Sequence, residues 1–140
     1  MTAPPIRQLF AVPFIDHLGI ALTRFEDGQS EMRYEAKPEH LNNFHVTHGG
    51  ACMTLLDVTM AAAARSLRPE LGVLTIEMKT SFMQSARGPL VATGRVLQAT
   101  GRMAFTEARI EDLEGRLCAH ATGTFKYIPR TPSMPEPPSD

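Results

Sequence analysis

A chain of 140 residues, 43% hydrophobic and 21% charged, has room for one packed core and is too short for two ordinary domains. A net charge of −1 offers no basic field for nucleic acid, and no apolar run approaches the roughly 18 residues that span a bilayer. The two cysteines, Cys52 and Cys118, stand far apart without metal or redox spacing and read as small buried hydrophobes of a reducing compartment.

The opening MTAPPIRQLFAVPF has one arginine and no long apolar centre. It predicts no secretory leader, and a cytoplasmic protein is the expectation. Pro4-Pro5 and Pro13 bracket Ile6 to Phe10, a candidate single helical turn in an N-terminal extension of residues 1–15. His17 to Phe25 reads as a strand, Glu26-Asp27-Gly28 as a turn, and Ser30 to Ala36 as the return strand of a hairpin that Pro38 ends. After a polar loop, an apolar helix runs from the glycine pair at 49–50 to about Leu67, where Arg65, Arg68 and Pro69 supply the charges and the stop that a helix C-terminus favours.

The second half is strand-like. Val73 to Met83 alternates, with Leu74, Ile76, Met78, Thr80 and Phe82 expected on the apolar face. Ala86-Arg87-Gly88-Pro89 turns the chain into Leu90 to Thr100, Gly101 breaks it, Met103 to Ile110 follows, and Asp112 to Gly115 turns it into a last strand, Leu117 to Tyr127. One helix with about six strands, four of them consecutive, signals an α+β antiparallel sheet. The helix is rich in small residues, notably Ala61 to Ala64, which lets a sheet wrap closely around it. A single domain over residues 1–128 is expected, followed by a loose Pro-rich tail at 129–140.

The stretch NNFHVTHGGACMTLLD, Asn42 to Asp57, carries the chemistry. Glycines at a helix start bring a ligand close to unpaired N–H groups, which together with the helix dipole favour an oxyanion. Asp57 is the one charged residue between Ala51 and Ala64. A carboxylate on a helix apolar on every side lies in a dry setting, and such a group is either satisfied by a partner or kept for chemistry. Gly49 and Asp57 are eight residues apart, about 12 Å along a helix, too far for both to reach one reacting carbon from one chain. If they share a site, two helices lie antiparallel in a two-fold dimer with Gly49 of one copy meeting Asp57 of the other. His40, His45 and His48 follow no strong zinc spacing, so no metal is expected.

His48-Gly49-Gly50 followed by Leu56-Asp57, with Asn42 six residues before the histidine, resembles the signature of hotdog-fold acyl-CoA thioesterases of the PaaI-like and 4-hydroxybenzoyl-CoA type. The similarity spans about His17 to Tyr127 and takes in Gly88-x-Leu90, Gly101-Arg102 and Gly115. It implies a hotdog fold, with an antiparallel sheet wrapped around one central helix, and a homodimer, commonly a dimer of dimers. It also implies site roles. Gly49 would donate its amide to the thioester oxygen, and Asp57 of the partner subunit would act as base or nucleophile. Asn42 would orient the water or the carboxylate, Thr75 would hold the water, and His48 would orient the loop and cap the helix. Coenzyme A enters as part of the substrate, not as a cofactor, and Arg87 and Arg102, beside turn glycines, are candidates for its phosphates. Phe82 and Met83 are candidate acyl-pocket residues. Two other functions fit the scaffold: acyl-thioester hydration or dehydration, and acyl-CoA binding without turnover. The acyl group itself is not legible.

Overall fold

The computed structural model describes residues 12–130. The expected turn at Ile6–Phe10 and the tail beyond Arg130 lie outside them. The described elements are α1 (Pro13–Leu18), β1 (Ala21–Glu26), β2 (Gln29–Glu35), a 3-10 turn (Pro38–His40), α2 (Gly49–Leu67), β3 (Leu71–Phe82), β4 (Pro89–Ala99), β5 (Met103–Asp112) and β6 (Leu117–Pro129). The strands form one sheet in the order β1-β2-β4-β5-β6-β3, every neighbouring pair antiparallel. The sheet wraps α2, as the resemblance implies.

The helix can lie close because the sheet is hollowed where it passes. Ser30, Gly94, Ala108 and Ala121 stand opposite one another across four strands, a row of small residues facing α2. The Ser30 hydroxyl donates to the Thr59 carbonyl at 2.6 Å. A Cβ on Gly94 would lie 2.9 Å from that same carbonyl oxygen, so only glycine fits there. Leu55, Leu56 and Met60 are fully buried against the sheet, and each such side chain contributes roughly 1.5–3 kcal/mol. One stripe of α2 is not covered. Gly50 and Met53 are exposed and Thr54, Asp57 and Ala61 half-buried, all at helical spacing on one side.

Three expectations are corrected. His17 and Leu18 belong to α1 and not to the first strand. Pro13 presets the helical φ, Gly19 closes the turn at φ 76°, and Ile15 and Leu18, three apart, are buried in the core. In β3 a bulge between Thr75 and Glu77 reverses the alternation. Val73 and Met78 pack on the core, while Leu74 and Ile76, expected inward, are 51% and 53% exposed. The last strand continues through Ile128 and Pro129, which pair with Gly72 and Leu71. Pro129 is the last residue of the strand. The first hairpin is as expected, with Asp27 and Gly28 at φ 48° and 77° forming the two-residue loop between Glu26 and Gln29.

Candidate active site

The start of α2 is fixed by an unusual density of hydrogen bonds. His48 is the N-cap, and its Nδ1 accepts the Gly50 N–H at 2.8 Å. Its carbonyl accepts the amides of Ala51 at 2.9 Å and Cys52 at 3.1 Å, and its own N–H donates to the His40 carbonyl at 2.9 Å. The amides at 48, 50, 51 and 52 are therefore taken. Among the described residues, no acceptor takes the Gly49 N–H. An unfilled amide at the first position of a 19-residue helix, with the positive end of the dipole behind it, is a ready donor to an oxyanion.

A hollow of about 320 Å³ opens at this point, lined among others by Asn42, Gly49, Cys52, Phe82, Met83 and Cys118. The Phe82 ring lies 3.5 Å from where a Gly49 Cβ would be, so it walls the amide on one side. The Asn42 Oδ1 is engaged by the loop, accepting the Phe44 N–H at 2.8 Å and the Val46 N–H at 3.3 Å. The next residues turn tightly, with His45 at φ 59°, and Asn42 N–H closes the loop onto the Val46 carbonyl. Both cysteines are buried, and the Cys52 thiol is pushed up to about 11 by burial and then by Cys118. It stays a thiol at neutral pH and offers no thiolate nucleophile.

Asp57 lies two turns further on the uncovered side of α2 and is not part of that hollow. Its carboxylate Oδ1 accepts the Thr75 hydroxyl at 2.7 Å across to β3. Burial raises the Asp57 pKa above the ordinary carboxylate value, and the Thr75 hydrogen bond opposes that rise. The chain thus presents an unfilled amide beside a hollow at the helix start, and a partly desolvated carboxylate held by Thr75 at mid-helix.

Arg87 and Arg102 are not brought together. Arg87 precedes β4 and Arg102 follows it, and the strand's 11 residues separate them by about 35 Å. Arg102 belongs to the far end, where Arg68 donates to the Gly101 and Thr100 carbonyls. A second hollow, about 520 Å³, lies elsewhere, on the outer face of the sheet among Arg95, Glu107, Arg109 and His120. Its charges are spent on one another, in the pairs Arg95–Glu107, Arg109–Glu111 and His120–Glu107. Sequence reasoning named Phe82 as a candidate pocket residue, and its ring lies beside Gly49 in the hollow; it missed the pairing of Tyr34 with His40, for which the strand and loop pattern gives no signal.

The thioesterase superfamily profile matches residues 44–119. SSO2140 of Saccharolobus solfataricus, named as a candidate esterase, is 30% identical over 115 residues, 81% of each chain. The medium/long-chain acyl-CoA thioesterase YigI of Escherichia coli is 24% identical over 134 residues, 84% of this chain and 86% of that one. The solved structure of the conserved protein PA5202 from Pseudomonas aeruginosa superposes with a TM-score of 0.84 at 28% identity, covering 89% of this chain and all of that one.

Proposed function

Because this chain belongs to the thioesterase superfamily and is a thioester hydrolase, we propose that it cleaves acyl-CoA to free acid and coenzyme A at a site completed by two copies of the chain. One observation carries the reading: an unfilled amide at Gly49 and a desolvated carboxylate at Asp57 share an otherwise uncharged helix stretch, two turns apart. One chain cannot aim both at the same carbon. A two-fold dimer with antiparallel α2 helices can.

Two features support that dimer. Apart from the Asp57–Thr75 hydrogen bond, the stripe of α2 from Gly50 to Ala61 is left exposed or half-buried by its own sheet, and among the described residues β3 is a 12-residue edge strand whose outward Leu74 and Ile76 are half exposed. Long apolar edges of this kind are normally covered.

In the reaction, the Gly49 N–H donates to the thioester carbonyl oxygen. The partner's Asp57 takes a proton from a water that attacks the carbonyl carbon, or attacks that carbon itself to form an acyl-Asp anhydride that water then hydrolyses to the free acid. The oxyanion that forms lies at the positive end of α2, and its collapse expels the coenzyme A thiolate, which leaves as the thiol. Thr75 holds the carboxylate in one orientation. With its oxygen engaged by the loop, Asn42 contributes through Nδ2. Arg87, next to Ala86 at the helix-start end, is our candidate for the coenzyme A phosphates. The name of YigI favours a fatty acyl group.

Thiol release from a panel of aryl- and straight-chain acyl-CoAs, by the wild type and by Asp57→Ala, tests the reading. Turnover that falls by about 10²–10⁴-fold in a folded variant supports it. Binding of acyl-CoA with no release from any member would replace hydrolysis with binding alone.

A further inference from the structure

Beneath the loop that leads into α2 sits a buried pair that the proposed chemistry does not use. Tyr34, on β2, and His40, at the end of the 3-10 turn, are 3% and 9% exposed. Their rings stack with centroids 5.8 Å apart, and the Tyr34 hydroxyl lies 2.7 Å from His40 Nδ1. The Lys37 N–H also points at that nitrogen, at 3.2 Å. A backbone amide can only donate, so Nδ1 carries the lone pair and the ring proton is on Nε2. Burial and the nearby Cys52 push the Tyr34 phenol up to about 12. It keeps its proton and donates.

We propose that His40, held by Tyr34, is the positioning residue for the oxyanion amide, acting through His48. The inference rests on the proposed role of Gly49. The path is short and runs through hydrogen bonds and rigid peptide units. The side chain of His40 is clamped at Nδ1, which fixes its carbonyl, and that carbonyl accepts the His48 N–H at 2.9 Å. The carbonyl of His48, held in turn by the Ala51 and Cys52 amides, belongs to the same planar peptide unit as the Gly49 N–H. Gripping His48 at its N–H, its ring and its carbonyl therefore sets the direction in which the Gly49 N–H points. A donor aimed at a developing charge stabilises it only while its direction holds, and small misplacements of catalytic groups cost up to about 100-fold in rate.

The test compares His40→Leu, which deletes the acceptor, with His40→Asn, whose Oδ1 replaces Nδ1 on the same carbon, and with the milder Tyr34→Phe. With an acyl-CoA that the wild type hydrolyses, His40→Leu is expected to lower kcat by about 10- to 100-fold with KM changed less than about twofold. His40→Asn should recover most of the loss. Tyr34→Phe should fall between, which keeps the test open if His40→Leu does not fold. In parallel, the NMR order parameter of the Gly49 amide should drop in His40→Leu and Tyr34→Phe and return in His40→Asn. Unchanged kcat in folded Leu and Phe variants would overturn the proposal, as would equal losses in Leu and Asn. If the wild type turns over no thioester, the reading of the reaction fails. The Gly49 order parameter then still decides the positioning claim, and an unchanged value refutes it.

Discussion

At the scale of single residues, Asp57 is held between two opposing effects, burial raising its pKa and the Thr75 hydroxyl lowering it. As a base it must be ionised. The acid limb of kcat/KM should therefore lie above the usual Asp range, and Thr75→Val should move that limb to higher pH while Thr75→Ser leaves it in place, as read from pH–rate profiles. The same shift bears on stability. With the folded-state pKa above the unfolded one, the ionised carboxylate is disfavoured in the native state. Asp57 thus costs nothing below the unfolded pKa, and its cost grows as pH rises through the window between the two values, reaching its full size above the folded one. Asp57→Asn should accordingly be inactive yet more stable at neutral pH, by about 1 kcal/mol, and show no such gain in acid, as measured by thermal unfolding at both pH values. A structural aspartate would give the opposite result, a loss of stability on substitution.

At the scale of elements, the approach of α2 to the sheet sets where Gly49 and Asp57 stand. The row Ser30, Gly94, Ala108 and Ala121 has no side chain larger than a serine, and at Gly94 a Cβ would come within 2.8 Å of the Ser30 hydroxyl and 2.9 Å of the Thr59 carbonyl. The nearest atoms include backbone and cannot yield cheaply. Gly94→Ala should destabilise by about 1–3 kcal/mol in chemical denaturation, and its activity should fall because the helix must move away from β4. The bulge at Ile76 acts on the same scale. It lets β3 turn Thr75 toward Asp57 and Met78 toward the core, while Ile76 faces outward from the edge. Strict alternation assigns that face wrongly.

At the scale of the whole molecule, the decisive question is whether one active site draws on two chains. Gly49→Pro removes the amide at a helix position that suits proline, and His48, at φ −59° and ψ 139°, already has the conformation that precedes one. Gly49→Pro and Asp57→Ala should each be nearly inactive alone. Subunits exchanged from an equal mixture should regain about a quarter of the wild-type activity, because half the dimers are mixed and each holds one intact site. No recovery after verified exchange would place both groups in one chain's site and remove the argument for the shared one. Charged substitution of the edge, Ile76→Glu, should lower the mass seen by light scattering together with activity.

The sequence by itself determined the α+β class, the hairpin at Asp27-Gly28 and the span of α2, and it singled out Gly49 and Asp57 as candidates. Each of these rests on local signals, namely turn residues, a glycine pair at a helix start, or one charge in an apolar run. Tertiary structure decided the rest. The helix at Pro13–Leu18 forms because Ile15 and Leu18 find a core to enter, the inward face of β3 is set by a bulge, and β6 reaches Pro129 because β3 is there to pair with it. Arg87 and Arg102 look equivalent in sequence and stand at opposite ends of β4. That the Gly49 amide alone among its neighbours has no acceptor, and that His40 lies clamped beneath it, depends on hydrogen bonds between residues up to eight apart. Spacing along a chain fixes which groups can share an element; only packing fixes which way their donors and acceptors point.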